Sequence, residues 1–247
     1  MPSITVYSLP SLLKTGLSGS CAVVIDVLRA TTVIACAASA GIKNFIPVTD
    51  IDEAKRIKKQ FPPDSVILGG ERQGLPIDGF DLGNSPQHYT PQQVAGKTLI
   101  ITTTNGTVAM HAATSADKIV LAAFVNARSV VEVLKNEERI AIICSGTYGK
   151  ETTEDLLLAG TLVSRLTALR NYDLDETAKK VRELWNDHFT VPEITELLRQ
   201  STGGQNLIRL GLDEDITAAA QLDSVKAVPV IVLPAKERDG LYNEISQ

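Results

Sequence analysis

An α/β fold around a largely parallel central sheet is predicted by two observations. Short apolar runs rich in Val, Ile, Leu and Ala alternate along the chain with longer helix-like segments. Four of those runs stop abruptly in small, hydroxyl, acidic or glycine residues: Asp26-Val-Leu-Arg29-Ala-Thr31-Thr32, Gly69-Gly70-Glu71-Arg72, Thr102-Thr103-Thr104-Asn105-Gly106-Thr107 and Cys144-Ser145-Gly146-Thr147. Continuous apolar runs mark strands buried on both faces, which is the habit of parallel sheets. Parallel strands would bring all four ends to one edge of one sheet.

The elements follow in order. Residues 4–8 and 22–25 read as strands, and the second leads into an Ala-rich helix at about 30–40 that stops at Gly41. A strand at 45–48 and a helix capped by Thr49 or Asp50 come next, the helix carrying a solvated run of Lys and Arg. The strand at 65–68 opens a long Gly/Pro/Asp loop, 74–90, whose apolar anchors Leu75, Ile77, Phe80 and Leu82 predict order. Further strands are expected at 98–101, 119–123, 140–143 and 228–233. Further helices are expected from Gly106, at 129–135, at 153–169 and at 216–222. A charged helical insert at about 173–201, divided by Pro192, completes a single domain spanning 1–247.

Composition narrows the function. With 44% hydrophobic residues the chain builds a sizeable core without disulfides or a structural metal. Aromatics are only 4%, and 24 basic residues face 29 acidic ones, so neither a base-stacking surface nor a phosphate-tracking groove for nucleic acid is expected. No apolar run approaches the roughly 18 residues of a membrane span. Met1 to Ser20 lacks the basic start and apolar stretch of a signal peptide. Three scattered cysteines, Cys21, Cys36 and Cys144, fit a reducing cytoplasm.

Standard motifs fail on inspection. Cys144-Ser-Gly-Thr-Tyr-Gly-Lys150 lacks the first glycine and the final hydroxyl of a P-loop, and it puts Lys where a cysteine phosphatase needs Arg. His88, His111 and His188 are too dispersed to make a zinc site.

What remains is oxygen-rich. Asp26 and Glu71 stand at strand ends, Asp81 in the long loop, and Glu154-Asp155 and Asp213-Glu214-Asp215 at helix starts. Hard oxygen donors suit Mg²⁺ or Mn²⁺. Asp155 and Asp213 equally suit helix capping, and Arg29 and Arg72 equally suit ion pairs with Asp26 and Glu71. The Asn105-Gly106 turn aims free N–H groups of the next helix at the strand edge, beside threonine hydroxyls.

At these residues the chain resembles the 2-phosphosulfolactate phosphatases, the ComB-like proteins of coenzyme M biosynthesis. The resemblance is carried by Asp26-Val-Leu-Arg-Ala-Thr-Thr32, Gly70-Glu-Arg72, Gly79-Phe-Asp-Leu-Gly-Asn-Ser-Pro86, Thr102-Thr-Thr-Asn-Gly-Thr107 and Glu154-Asp155 ahead of Ala159-Gly160. The chain departs from the family pattern in reading Gln73 before Gly74 and Val108 after Thr107, and in placing Glu151-Thr152-Thr153 before the acidic pair.

The resemblance implies a Mg²⁺-dependent phosphomonoester hydrolase with a three-layer α/β/α fold. Asp26, Glu71 and one of Asp155 or Asp215 are expected to hold the metal. Asp26, Arg29, Glu71 and Arg72 form the expected catalytic group. Thr31, Thr32, Thr103, Thr104, Asn105, Gly106, Ser145 and Gly146 are expected to bind the substrate, a small phosphorylated acid. Either water or the Asp26 carboxylate is a candidate nucleophile. A non-catalytic sensor for such an acid is the alternative reading, and a homodimer is expected on general grounds.

Overall fold

The computed structural model describes residues 1–13, 16–185, 189–232 and 242–246. His188 and Leu233, the last residue of the expected final strand, lie outside them. The first half of the chain comprises β1 (Ser3–Tyr7), β2 (Cys21–Ile25), α1 (Ala30–Ser39), β3 (Asn44–Pro47), α2 (Ile51–Lys58), β4 (Val66–Arg72), β5 (Leu75–Pro76), α3 (Pro91–Val94), β6 (Thr98–Thr102), α4 (Gly106–Ala112) and β7 (Lys118–Ala122). The second half comprises α5 (Ala127–Leu134), β8 (Arg139–Cys144), α6 (Thr153–Leu169), β9 (Asp173–Leu174), α7 (Glu176–Leu184), α8 (Val191–Gln200), α9 (Thr202–Arg209), α10 (Asp213–Ala219), β10 (Val228–Val232) and β11 (Tyr242–Ser246).

Strand pairing is mostly parallel, but the strands form two sheets rather than the one expected. Seven strands run in the order β11-β10-β7-β2-β8-β1-β9 and four in the order β3-β6-β4-β5. Antiparallel pairing is confined to β10 with its two neighbours and to the β4–β5 hairpin. Strand β2 is central in its sheet, between β7 and β8, and all five of its residues are buried. That explains its unbroken Cys-Ala-Val-Val-Ile run: one face meets each helical layer.

The layers follow from this alternation. Cys21, Val23 and Ile25 join the core under α5, α6 and α7. Ala22 and Val24 face the other way, into a core with α1 and α4 that also takes Phe45, Ile67, Leu99 and Ile101 from the second sheet. Helix α2 covers the far side of that sheet through Ala54 against Val66, Leu68 and Ile100. Helices thus lie on both faces of largely parallel sheets, a three-layer α/β/α arrangement.

The helical insert differs in detail from expectation. The break between α7 and α8 precedes Pro192, which sits in the first turn of α8, where its missing N–H costs nothing. The glycine-rich segment after Gln200 forms a further helix, α9, whose N-cap Ser201 accepts a hydrogen bond from Gly204 N at 3.0 Å. Among the described residues no helix is long and apolar enough to cross a membrane.

Candidate active site

The ends of β2, β4, β6 and β8 do meet, although they come from two sheets. A cleft opens at their junction, with Asp26, Glu71, Thr104, Asn105 and Thr147 on its strand-end side. Arg29, Asn84 and α9 (through Gly203 and Asn206) form other parts of its wall.

Asp26 sits at the end of the central strand and is 6% exposed. Its Oδ1 accepts from Ala30 N at 3.1 Å, in the first turn of α1. No donor among the described residues reaches Oδ2, which faces Gly106 across the cleft edge. A Cβ at position 106 would lie 2.6 Å from that oxygen and overlap the Ala30 methyl, so only glycine fits. Burial, reinforced by the neighbouring Asp155 and more weakly by Glu71 and Glu154, pushes the Asp26 carboxyl up from 3.8 to about 8.

Behind Asp26 lie two more buried acids. Asp155 is saturated: Val27 N donates to Oδ1 at 3.0 Å, and Gly146 N and Ser145 Oγ donate to Oδ2 at 3.0 and 3.1 Å. It ties the loop after β2 to the loop after β8, and burial still raises it above the ordinary carboxylate range. Glu154 is 2% exposed with an Oε2 that finds no donor among the described residues. Burial, and then Asp155, raise it from 4.5 to about 7.

Glu71 is held by the neighbouring strand end. Thr104 N donates to Oε1 at 2.7 Å, while Gly74 N and Thr104 Oγ1 donate to Oε2 at 2.7 and 3.0 Å. The backbone amides of Asn105 and Gly106 have no acceptor among the described residues, since α4 starts there without a side-chain cap.

The only arginine on the cleft wall is already committed. Arg29 Nη1 meets Asp215 Oδ2 at 2.5 Å, both side chains being nearly inaccessible, and Nη2 donates to Gly74 O at 2.8 Å. Ser85 Oγ donates to the same Asp215 oxygen at 2.9 Å. Among the described residues, no group of three or more His, Cys, Asp or Glu side chains is gathered in metal-holding geometry. An open site using one or two carboxylates is what the geometry accommodates.

Comparison with known proteins now places the chain. A family model described as 2-phosphosulpholactate phosphatase matches residues 7–233. The chain is 40% identical over 211 residues to a probable 2-phosphosulfolactate phosphatase of Thermotoga petrophila, covering 85% of this chain and 88% of that protein. Similar values hold for proteins of the same name from Deinococcus radiodurans, 41% over 214 residues (85% and 87% covered), and Symbiobacterium thermophilum, 37% over 216 residues (87% and 92% covered). The chain belongs to the 2-phosphosulfolactate phosphatase family.

In this family member the expected site residues divide. Asp26, Arg29, Glu71, Thr104 and Asn105 line the cleft, with Gly106 against Asp26. Ser145 and Gly146 stand one step back, as donors to Asp155. Thr31 and Thr32 are fully buried and turn inward: their hydroxyls donate to Asp26 O and Val27 O, both at 2.8 Å, fastening the start of α1. Thr103 exchanges hydrogen bonds with Thr107 inside the β6–α4 turn.

Arg72 points away from the cleft, to Glu71 O, Thr49 O and Thr102 Oγ1 at 2.7–2.9 Å. Asp215 does not line the cleft: it is buried and paired with Arg29. Asp81 anchors the long loop, accepting from Leu68 N at 2.8 Å and Lys58 Nζ at 2.7 Å. His88 is exposed, and the His111 ring lies against Thr107 O of its own helix. Burial drives the Cys144 thiol well above its ordinary value, so it is no nucleophile. Sequence reasoning missed Asn84, Gly203 and Asn206; the Ser201-x-x-Gly204 cap was the available signal for α9.

Proposed function

We propose that the chain is a Mg²⁺-dependent phosphomonoester hydrolase that converts 2-phospho-3-sulfolactate and water to 3-sulfolactate and phosphate. The substrate is the one in the name its relatives carry. The observation that carries the reading is the charge of the cleft. Two carboxyl groups, Asp26 and Glu71, face a space whose one lining arginine among the described residues is neutralised by Asp215, so the cleft brings no net positive charge. A multiply anionic ester does not enter such a space without a cation.

The residues fit that cation. Asp26 offers an unpartnered Oδ2 that burial otherwise leaves protonated, and Glu71 is oriented beside it by three donors. Asp155, which does not line the cleft, serves better as the brace behind Asp26 than as a ligand. Bound there, Mg²⁺ would supply charge neutralisation and polarisation of the phosphoryl group.

The chain's own groups do the rest. The Asn105 and Gly106 amides donate to phosphoryl oxygens, and Arg29, fixed by Gly74 O and Asp215, adds a donor with no freedom left to lose. Water attacks phosphorus, the bond from phosphorus to the C2 oxygen breaks, and the acid leaves as the hydroxyl compound. A helix N-terminus contributes only about 0.3–2 kcal/mol, against a barrier reduction of roughly 20 kcal/mol or more for this reaction class. The cradle alone is therefore inadequate.

The test is phosphate release from 2-phosphosulfolactate with Mg²⁺ and with EDTA. Release that EDTA abolishes is expected. Tight binding of the ester with no release under either condition would instead make the protein a sensor.

A further inference from the structure

The long loop between β5 and α3 is built rigidly, yet the reaction as described uses only its Ser85. Asp81 N and Leu82 N both donate to Leu68 O at 3.0 Å, Gly70 N donates to Gly83 O at 3.3 Å, and Tyr89 Oη donates to Gly83 O at 2.6 Å. These bonds clamp the loop to β4 just before Asn84, and Tyr89 folds back onto Gly83 from beyond it.

Asn84 is 4% exposed and lines the cleft. Its Oδ1 is buried with no donor, and its Nδ2 has no acceptor among the described residues, which leaves it to the cleft that Asn84 lines. A buried carboxamide oxygen with no donor is costly to keep and rare. The adjacent Ser85 shows that polar side chains here can be satisfied internally, since its hydroxyl lies between Asp215 and Arg29. Asn84 is therefore held in reserve for something that enters the cleft.

Resting on the phosphatase reading above, we propose that Asn84 is a specificity-determining residue whose Nδ2 donates to the acid arm of the substrate, the carboxylate and sulfonate that are not transferred. Its place supports the assignment. Asn84 comes from a different loop from the Asp26, Glu71 and Thr104–Gly106 groups assigned to the phosphoryl end. An amide N–H₂ offers two donors and no charge, so it selects an anionic oxygen without disturbing the Arg29–Asp215 pair.

The experiment uses two probes with the wild type, Asn84→Ala and Asn84→Asp. Calorimetric binding of 3-sulfolactate, which has no phosphate, reports the acid arm alone. Phosphate release from 2-phosphosulfolactate and from phenyl phosphate, which has no acid arm, reports the chemistry. Expected are binding weakened about tenfold in Asn84→Ala and lost in Asn84→Asp. KM for 2-phosphosulfolactate rises in parallel, kcat and phenyl phosphate turnover hold, and the unfolding midpoint of Asn84→Ala is unchanged because Asn84 holds no internal side-chain bond.

Unchanged 3-sulfolactate binding, no 3-sulfolactate binding by the wild type, an equal loss for both esters, or a lowered midpoint would each overturn the proposal. Asn84-dependent binding in a protein that releases no phosphate would uphold Asn84 and overturn the phosphatase. Phosphate release indifferent to Asn84 would do the reverse.

Discussion

Two groups of buried acids flank the cleft, and they are built on opposite principles. On one side Asp215 meets Arg29 at 2.5 Å and takes a second bond from Ser85, so charge cancels charge. On the other, Asp26, Glu154 and Asp155 lie together with backbone and hydroxyl donors but no arginine or lysine in hydrogen-bond contact. Taking an unpaired carboxylate out of water is expensive, and the protein escapes the cost by holding protons on Asp26 and Glu154. The paired acid fixes an arginine in place. On the proposed reading, the unpaired acids keep a place for a cation that the chain does not itself supply.

Breaking the paired side has the largest expected effect on stability. Asp215→Asn strands the Arg29 charge in a buried wall and costs about 3–5 kcal/mol, read as a lower denaturation midpoint in urea. If Asp215→Asn were as stable as wild type, the pair would not be the rigid half of the site. Next comes the contact between the acids and the phosphate turn. Gly106→Ala forces a methyl against Asp26 Oδ2 and Ala30, costing about 1–3 kcal/mol and most of the turnover. Normal phosphate release by Gly106→Ala would mean that Asp26 does not work at that edge.

A gentler probe is pH. Asp26 at about 8 and Glu154 at about 7 hold protons that the unfolded chain, near 3.8 and 4.5, has already lost. From about pH 5 upward the folded state thus binds more protons than the unfolded state, so stability falls with rising pH and the contribution is gone above about 8. In EDTA the unfolding temperature should decline between pH 6 and pH 9, and Mg²⁺ should flatten that decline. A rise with pH in EDTA would place the cations that oppose these acids somewhere in the protein itself.

Much of this was legible in the residues, for physical reasons. Runs such as Ala22–Ile25 are unbroken because both faces of β2 are covered, and the Asp, Glu and Asn-Gly turns after them mark strand ends that converge. Strand order was not legible: the β4 and β6 runs look like the β2 and β8 runs, and nothing in their composition assigns them to a second sheet. Helix α9 hid behind Gly203 and Gly204, which read as loop. Gly203 is required because a Cβ there would overlap Glu154 Oε1. Thr31, Thr32 and Arg72 were the right residue types in the right segments, but their hydrogen bonds go to backbone. The Arg29–Asp215 pair joins residues 186 positions apart, beyond any local pattern.

The contrast between the two groups rests on Asp26. The measurement that tests it most directly pairs activity with stability in Asp26→Asn, at pH 8. The amide keeps the shape and the Ala30 bond while removing the charge. The expected result is a loss of Mg²⁺-dependent phosphate release of roughly 100-fold or more, together with a higher unfolding temperature than wild type in EDTA. An Asp26→Asn protein that releases phosphate near the wild-type rate, or that melts lower than wild type without metal, would contradict the account.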